Sequence, residues 1–389
     1  MYKIATLNKI SPKGLSSFNN NYQIIDDPDK ADGIILRSAD MHDMSFSKDL
    51  LAIARAGAGV NNIPLDRCAE QGIVVFNTPG ANANAVKELV IAGLLMASRN
   101  IPDAIRWTDT LKEDVKKTVE KGKSQFAGNE ITGKTLGVIG LGAIGVLVAN
   151  TARKLGMDVI GYDPFITIHA AHELSHNIPV YQDLGQMLPQ CDYVTIHVPV
   201  NDSTKGMIDT RRFSEMKDGA VFMNYARDTL VNEDSLLAAL EMGKLKYYMT
   251  DFPNSTLIGH PKVIATPHLG ASTSEAEDNC AQIAAKSLIE YIEKGNIVNS
   301  VNYPDCSMGE IDPEANCRIC IINRNIPSML GKITGIMADL DINIRNLTNK
   351  SKGEYACTMM DIDGDENVSH DEFMEMMDFD GIIHVRVIK

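Results

Sequence analysis

The 389-residue chain has no run of about eighteen apolar residues, the length a helix needs to cross a bilayer. Its opening, MYKIATLNKI, lacks the basic-then-apolar pattern of an export signal and reads as a first strand. Positive charge is scarce: 37 Lys and Arg stand against 51 Asp and Glu, a net charge of −14. Such a balance disfavours nucleic acid or an anionic membrane as partner, and an anionic substrate would need positive charge gathered locally. Seven cysteines, an odd number scattered over a long chain, make no disulfide framework and fit reduced thiols in a cytoplasm.

Metal sites are lacking too. Cys317 and Cys320 form a C-x-x-C, but in a strand-like run, CRICII, where positions three apart face opposite sides. No second pair or His cluster accompanies them. DIDGDENVSHDEF, from Asp361, places acids like a calcium loop and ends its twelve on Glu372. Glu366 stands where the sharp turn requires Gly, and the segment follows a strand instead of a helix. Nine acids and no Lys or Arg between Asp361 and Asp380 read as a solvated face.

What is present is concentrated in GKTLGVIGLGAIGVLVANTARKLGMDVIGYDP, Gly133–Pro164. TLGVIG is a short apolar run, as in a strand buried on both faces. Gly140, Gly142 and Gly145 follow as G-x-G-x-x-G and open an apolar helix from Ala143. A second strand, MDVIGY, ends on Asp163. Gly140 permits the tight turn, Gly142 lets backbone approach a pyrophosphate, and Gly145 lets the helix pack on the strand. The helix N-terminus offers N–H groups to phosphates. Asp163 can accept from a ribose diol and would repel a 2′-phosphate, so the expected cofactor is NAD.

Length implies two or three domains. Residues 1–80 read as a small α/β unit with strands KIATL, QIID, GIILR, LAIARAG and GIVVFN and a helix around Pro64–Gln71. A helix over Val86–Ser98 ends near Asn100, before Pro102. Six strands follow: TLGVIG, DVIGY, YVTIHV, AVFMNY, KYYMT and VIATP, with helices from near Ala143, Tyr181, Asp209 and Asn232. These predict a doubly wound parallel sheet. Ser274–Glu293 is a long helix and Asn296–Pro304 a linker. The tail from Cys317 to Lys389 reads β-α-β-β-α-β, a ferredoxin-like split unit.

Ligands of an open α/β sheet bind beyond the strands' carboxyl ends. Asp163, His197, Arg227, Asp251 and His268 occupy those ends. Arg227 follows AVFMNYA and His268 follows VIATP. A guanidinium can clamp a carboxylate, and an imidazole can take and return a hydroxyl proton, the two functions hydride chemistry at a 2-hydroxy acid needs. His197, in TIHVP, fits cofactor-loop structure better than catalysis.

GKTLGVIGLGAIG, GYDP, HVP, NYAR, DFP and TPHLGAST, with ILRSA, ARAGAGVNNI and NTPGANANAVKEL in the first lobe, resemble the D-isomer-specific 2-hydroxyacid dehydrogenase family. The tail resembles the small regulatory ACT domain. The resemblance implies a Rossmann-type doubly wound sheet, 86–273, inserted in a smaller flavodoxin-like α/β substrate lobe, 1–85 with 274–305, and an ACT domain, 316–389. It implies NAD-dependent oxidation of 3-phospho-D-glycerate, at the entry to serine synthesis, in a cytoplasmic homodimer or homotetramer. By the same resemblance Arg227 and His268 are catalytic. Gly140, Gly142, Ala143, Ile144, Gly145, Asp163, His197, Val198, Pro199, Thr204, Tyr225, Ala226, Arg227, Asp251, His268 and Gly270 would line NAD. Arg37, Ser38, Arg55, Gly57 and Asn82 would face the substrate, and Asn325 and Asn343 would hold L-serine in the tail.

Two departures stand out. The family's Glu, which pairs with the catalytic His, has no counterpart in TDFPNSTLIGHPKVIATPH, whose one acid is Asp251. Either another group orients His268 or the imidazole works without one. NYARD also has Asp228 where the family commonly has Gly. Ser328 likewise replaces a usual Gly in the tail. Competing readings are a reductase of hydroxypyruvate or another 2-keto acid, and a non-catalytic NAD sensor on the same fold.

Overall fold

The computed structural model describes residues 1–363 and 370–389, the side chains of 370–372 excepted. The acid-rich calcium-like segment falls mostly outside them. Two compact units emerge: Met1–Ala81 with Glu277–Lys389, and Asn82–Ala276. The expected inserted domain ran from 86 to 273, and the tail groups with the first lobe instead of standing alone.

The first unit opens with β1 (Tyr2–Leu7), β2 (Tyr22–Ile25), β3 (Gly33–Leu36), β4 (Ala52–Arg55) and β5 (Val74–Phe76). They pair in parallel in the order β2-β1-β3-β4-β5, the flavodoxin-like arrangement. β3 to β5 are buried on both faces apart from Arg55 at the end of β4, as their Ile and Val runs require. The helix Ser274–Lys294 lays Ala281, Ala284, Ala285, Leu288 and Ile292 against this sheet.

The expected linker is a packed segment. Ile297 bridges Cys306 antiparallel, and Ser300 bridges Phe76. Tyr303 is fully buried and donates its hydroxyl to Ala69 O at 2.5 Å. An Asn- and Pro-rich composition looks like a connector, yet the side chains of Asn296, Ser300, Asn302 and Tyr303 all find main-chain partners.

The second unit holds β6 (Thr135–Ile139), β7 (Asp158–Tyr162), β8 (Val180–Tyr181), β9 (Tyr193–Ile196), β10 (Ala220–Asn224), β11 (Leu245–Thr250) and β12 (Val263–Ala265). All are parallel, in the order β12-β11-β10-β9-β6-β7-β8. One strand more than expected is present. β8 is two residues long, too short to show periodicity, and it takes up Tyr181, where a helix was expected. That helix starts instead at Leu184, capped by Asp183, whose carboxylate accepts from Gly185 N at 2.9 Å. The helix Ala83–Ser98 stops as anticipated, and a new helix, Ile101–Asp109, starts from left-handed Asn100 with Pro102 in its first turn.

The tail contributes β13 (Cys317–Arg324), β14 (Asn343–Lys352), β15 (Tyr355–Asp363) and β16 (Ile382–Ile388), antiparallel in the order β14-β15-β13-β16. Period-two alternation sorts its two faces. Ile319, Ile321 and Met360 pack under the helix Met329–Asp339, through Ile333 and Met337. Cys320, Ile322, Cys357 and Met359 face the other way and join the first lobe's core beside Tyr291 and Tyr303. Cys317 and Cys320 thus lie on opposite faces of one strand. Arg318, on the inner face, is fully buried. It pairs with Asp361 at 2.6 Å and donates to the carbonyls of Lys294, Gly309 and Glu310.

Candidate active site

The glycine turn sits at the switch point of the second sheet, between β6 and β9. Gly140 has φ +90°, and its N–H donates to Tyr162 O at 2.8 Å. A Cβ there would meet His197 O at 2.8 Å, and a Cβ on Gly145 would run into the Gly140 carbonyl. Around Gly142 nothing lies within 4 Å of a Cβ position. The helix Ala143–Lys154 starts on Gly142 without a side-chain cap, leaving its first N–H groups to a ligand. Tight turn, open approach and uncapped helix together fit a dinucleotide's pyrophosphate. Ala143 is exposed beside them and Ile144 is half-buried.

Asp163 accepts from Leu141 N at 2.8 Å and from Phe165 N at 2.9 Å, so it also fastens the turn. Each oxygen keeps a lone pair for a diol. Across the switch point, Nε2 of His197 lies 3.0 Å from Thr195 Oγ1, while its Nδ1 is shielded and has no partner among the described residues. Desolvation pushes its pKa down to about 3, so the imidazole is neutral, consistent with a scaffold. Val198 packs on Gly140. Thr204 spends its hydroxyl on Pro199 O at 2.7 Å and accepts from Asn201 N.

Tyr225 departs from expectation. Its ring is buried and its hydroxyl lies against Gly93, so the side chain is core and not cofactor surface. The run AVFMNY is simply apolar through its last residue.

β10, β11 and β12 are successive neighbours, and each releases one polar residue at its carboxyl end. Arg227 follows β10, Asp251 follows β11 and His268 follows β12. Buried Asn224 shapes the first exit: its Nδ2 donates to Arg227 O at 2.7 Å and its Oδ1 accepts from Ala226 N at 3.1 Å. The Arg227 guanidinium lies 5.7 Å from the centroid of the Phe252 ring. That ring stands 4.9 Å from the His268 imidazole. Phe252 is therefore a platform shared by guanidinium and imidazole. Sequence reasoning missed it, although it adjoins Asp251 at the same sheet edge.

Asp251 is not arranged as expected. Its carboxylate, 1% exposed as a residue, accepts from Thr266 Oγ1 at 2.6 Å, Leu269 N at 2.7 Å and Gly270 N at 2.7 Å. These bonds hold the loop 266–270 rather than face outward, and Gly270 is buried beneath it. The same loop places His268 at φ +57°, a left-handed conformation that costs a non-glycine residue about 1–2 kcal/mol. Its N–H donates to Asp251 O at 3.0 Å. The His268 ring is exposed and makes no hydrogen bond among the described residues, so no group stands in for the missing Glu there.

In the first unit Leu36 and Arg55 pair across β3 and β4. Arg55 Nε donates to Arg37 O at 3.0 Å, bringing the two arginines together. Arg37 pairs with Glu277 at 2.5 Å, and the Arg55 guanidinium packs on Gly57. Asn8 Oδ1 gathers the N–H groups of Arg37, Ser38 and Ala39. Neither Asn8 nor Glu277 was read from the sequence. Asn82 belongs to the second unit, where it precedes the helix Ala83–Ser98 without capping it. In the tail, Asn325 Nδ2 donates to Gly353 O and Asn343 Nδ2 to Asp363 Oδ2, each at 3.0 Å. Ser328 has φ +70°, which explains why Gly suits its position.

A family model described as D-isomer specific 2-hydroxyacid dehydrogenase, NAD binding domain, matches residues 91–270. Among curated proteins, the D-3-phosphoglycerate dehydrogenase of Haemophilus influenzae is 32% identical over 355 residues, 87% of this chain and 81% of that protein. That of Methanocaldococcus jannaschii is 34% identical over 81% of this chain, but the match spans only 58% of its length. The chain thus spans little more than half of several relatives it matches. Among solved structures, the NAD+-bound 3-phosphoglycerate dehydrogenase of Entamoeba histolytica superposes with a TM-score of 0.62 at 26% identity. That superposition covers 77% of this chain and 98% of that one.

Proposed function

We propose, from the premise that this chain belongs to the D-isomer-specific 2-hydroxyacid dehydrogenases, that it oxidises 3-phospho-D-glycerate to 3-phosphooxypyruvate. The observation that carries this reading is the shared Phe252 platform, which seats a guanidinium and an imidazole at the carboxyl edge of a dinucleotide-binding sheet.

NAD, when bound on the glycine turn, supplies the acceptor for the hydride leaving C2. Arg227 clamps the substrate carboxylate and polarises the C2 oxygen. His268 takes the C2 hydroxyl proton on its ring nitrogen and returns it in the reverse direction. Asp251 keeps the His268 loop in place. Phe252 shields one side of both groups from water, which strengthens their charges' action on substrate. Arg37 and Arg55 bind the phosphate, supplying the local positive charge that an acidic protein requires.

In this reading the chain works in the cytoplasm as a homodimer or homotetramer at the opening of L-serine synthesis, with L-serine acting on the tail through Asn325 and Asn343. The relatives named for this reaction support the phosphorylated substrate over hydroxypyruvate. The test is nicotinamide absorbance with 3-phosphoglycerate and with glycerate. Turnover of the phosphorylated acid alone is expected, and Arg55→Ala should raise its KM at least tenfold with kcat little changed. Turnover of neither acid, with NAD bound tightly, would establish a sensor instead.

A further inference from the structure

The first sheet has a topological switch point of its own. In the order β2-β1-β3-β4-β5 the chain leaves β1 for the neighbour on one side and returns to β3 on the other. A crevice therefore opens beyond the carboxyl ends of β1 and β3. The two strands stay in register to their last residues, with Leu7 opposite Leu36. Past those ends the chain releases Asn8 from β1 and Arg37, Ser38 and Ala39 from β3.

Asn8 sits at φ +74°, in the left-handed region that Asn enters more readily than most side chains. From there its Oδ1 accepts from the N–H groups of Arg37 at 3.4 Å, Ser38 at 2.9 Å and Ala39 at 2.8 Å. One amide oxygen thus holds three successive main-chain donors. The far half of the loop is held separately. Asn62 donates its Nδ2 to Ala39 O at 2.7 Å, and its own carbonyl accepts from Met41 N at 2.9 Å. The near half passes its position on, because Arg37 O accepts from Arg55 Nε at 3.0 Å.

We infer that Asn8 is a positioning residue for the substrate's phosphate. Through three N–H groups it fixes the Arg37 main chain, and through the Arg37 carbonyl it fixes the Arg55 guanidinium. Both arginines then converge on one anion. The inference rests on the proposed phosphoglycerate reading and names the residue that assembles its phosphate site. Without the Asn8 oxygen the three N–H groups would turn to water, which satisfies them but sets no geometry. The loss falls on binding, where preorganised charge is needed, and little on the chemical step at Arg227 and His268.

The test is steady-state kinetics with 3-phosphoglycerate and NAD, beside calorimetric titration of 3-phosphoglycerate into the full chain with NADH, which accepts no hydride. Asn8→Gly keeps the left-handed turn and removes the acceptor. KM and Kd for the phosphorylated acid should both rise about fivefold or more, with kcat and the KM for NAD within about twofold of the parent. Asn8→Asp keeps both the turn and the acceptor, and should return KM and Kd to within about twofold of the parent. An Asn8→Gly chain that loses thermal midpoint while KM and Kd stay in place would overturn the inference. So would an Asn8→Asp chain as weak as Asn8→Gly. Binding of 3-phosphoglycerate by the parent without turnover would overturn the dehydrogenase reading alone, and the Kd series would still decide the role of Asn8. A parent that does not bind it would overturn both.

Discussion

Replacing Asp251 by Asn tests whether this carboxylate acts by holding the His268 loop. Three donors converge on it within 2.7 Å, from Thr266, Leu269 and Gly270. An amide has one accepting oxygen, and its NH2 turns a donor toward whichever N–H remains. Losing one charge-assisted bond and stranding one buried N–H costs about 3 kcal/mol in all. That exceeds the 1–2 kcal/mol or so of left-handed backbone the loop sustains at His268, so the loop should relax. If the relaxed loop carries the imidazole away from the Phe252 platform, kcat falls about 100-fold. Steady-state kinetics across pH, with NAD affinity measured by fluorescence titration, decide the matter. The clamp predicts a lower kcat with both limbs of the pH profile in place. Thr266→Val, which removes only the hydroxyl bond, should lose about tenfold. A kcat within threefold of the parent would refute the reasoning. An acid limb that moves while NAD affinity stays fixed would make Asp251 the electrostatic partner of His268 instead.

The glycines of the turn should separate structure from binding. Gly142→Ala meets open space and should keep the thermal midpoint while NAD affinity drops at least tenfold; Gly145→Ala strikes the Gly140 carbonyl and should lower both. Arg318→Ala strands a buried Asp361 and three carbonyls, so chemical denaturation should show a loss of about 3–5 kcal/mol, much of it recovered by the double change Arg318→Met with Asp361→Leu. Burial pushes the folded-state pKa of His197 to about 3 and of His384 to about 4. The unfolded chain titrates them near 6.5, so between about pH 6.5 and 4 it binds protons the folded chain refuses. Stability present above that window is therefore lost as pH falls, by about 1 kcal/mol per group at pH 5.5, and replacing both by Asn should flatten the slope.

The parts of the site that depend on strand ends and glycine spacing could be read from the chain, because a buried parallel strand leaves an unbroken apolar run whose exit is visible. Arg227, Asp251 and His268 were placed beyond strand ends that way, and they lie there. What Asp251 does was not visible, since a carboxylate beside a dinucleotide and one clamping a loop look alike until the donors around it are known. Tyr225 shows the same limit from the other side: it ends an apolar run, and only the contact with Gly93 reveals that the run continues through it. Phe252 was in view only as the middle of DFP, and no role was read for it, since one aromatic after a strand is ordinary.

The junction of tail and first lobe was the least legible region, and the reason is physical. Asn296–Pro304 has the composition of a connector, yet the side chains of Asn296, Ser300, Asn302 and Tyr303 each replace a main-chain partner that a strand would have had. Asn302 does this with two bonds, accepting from Val75 N at 2.9 Å and donating to Ile73 O at 2.9 Å. Local composition cannot distinguish side-chain amides that solvate a linker from amides that finish the edge of a sheet 225 residues away in sequence, as Ser300 does with Val75. The tail's inner face was hidden for a related reason. Cys320, Ile322 and Met359 alternate as any half-buried strand would, and their partner, a helix ending at Lys294, lies across a turn whose Gly295 sits against the Cys320 sulfur. A side chain at Gly295 would push the helix end off that strand. The docking of tail on lobe thus hangs on a glycine whose φ of +74° already marks it as the point where the helix must stop.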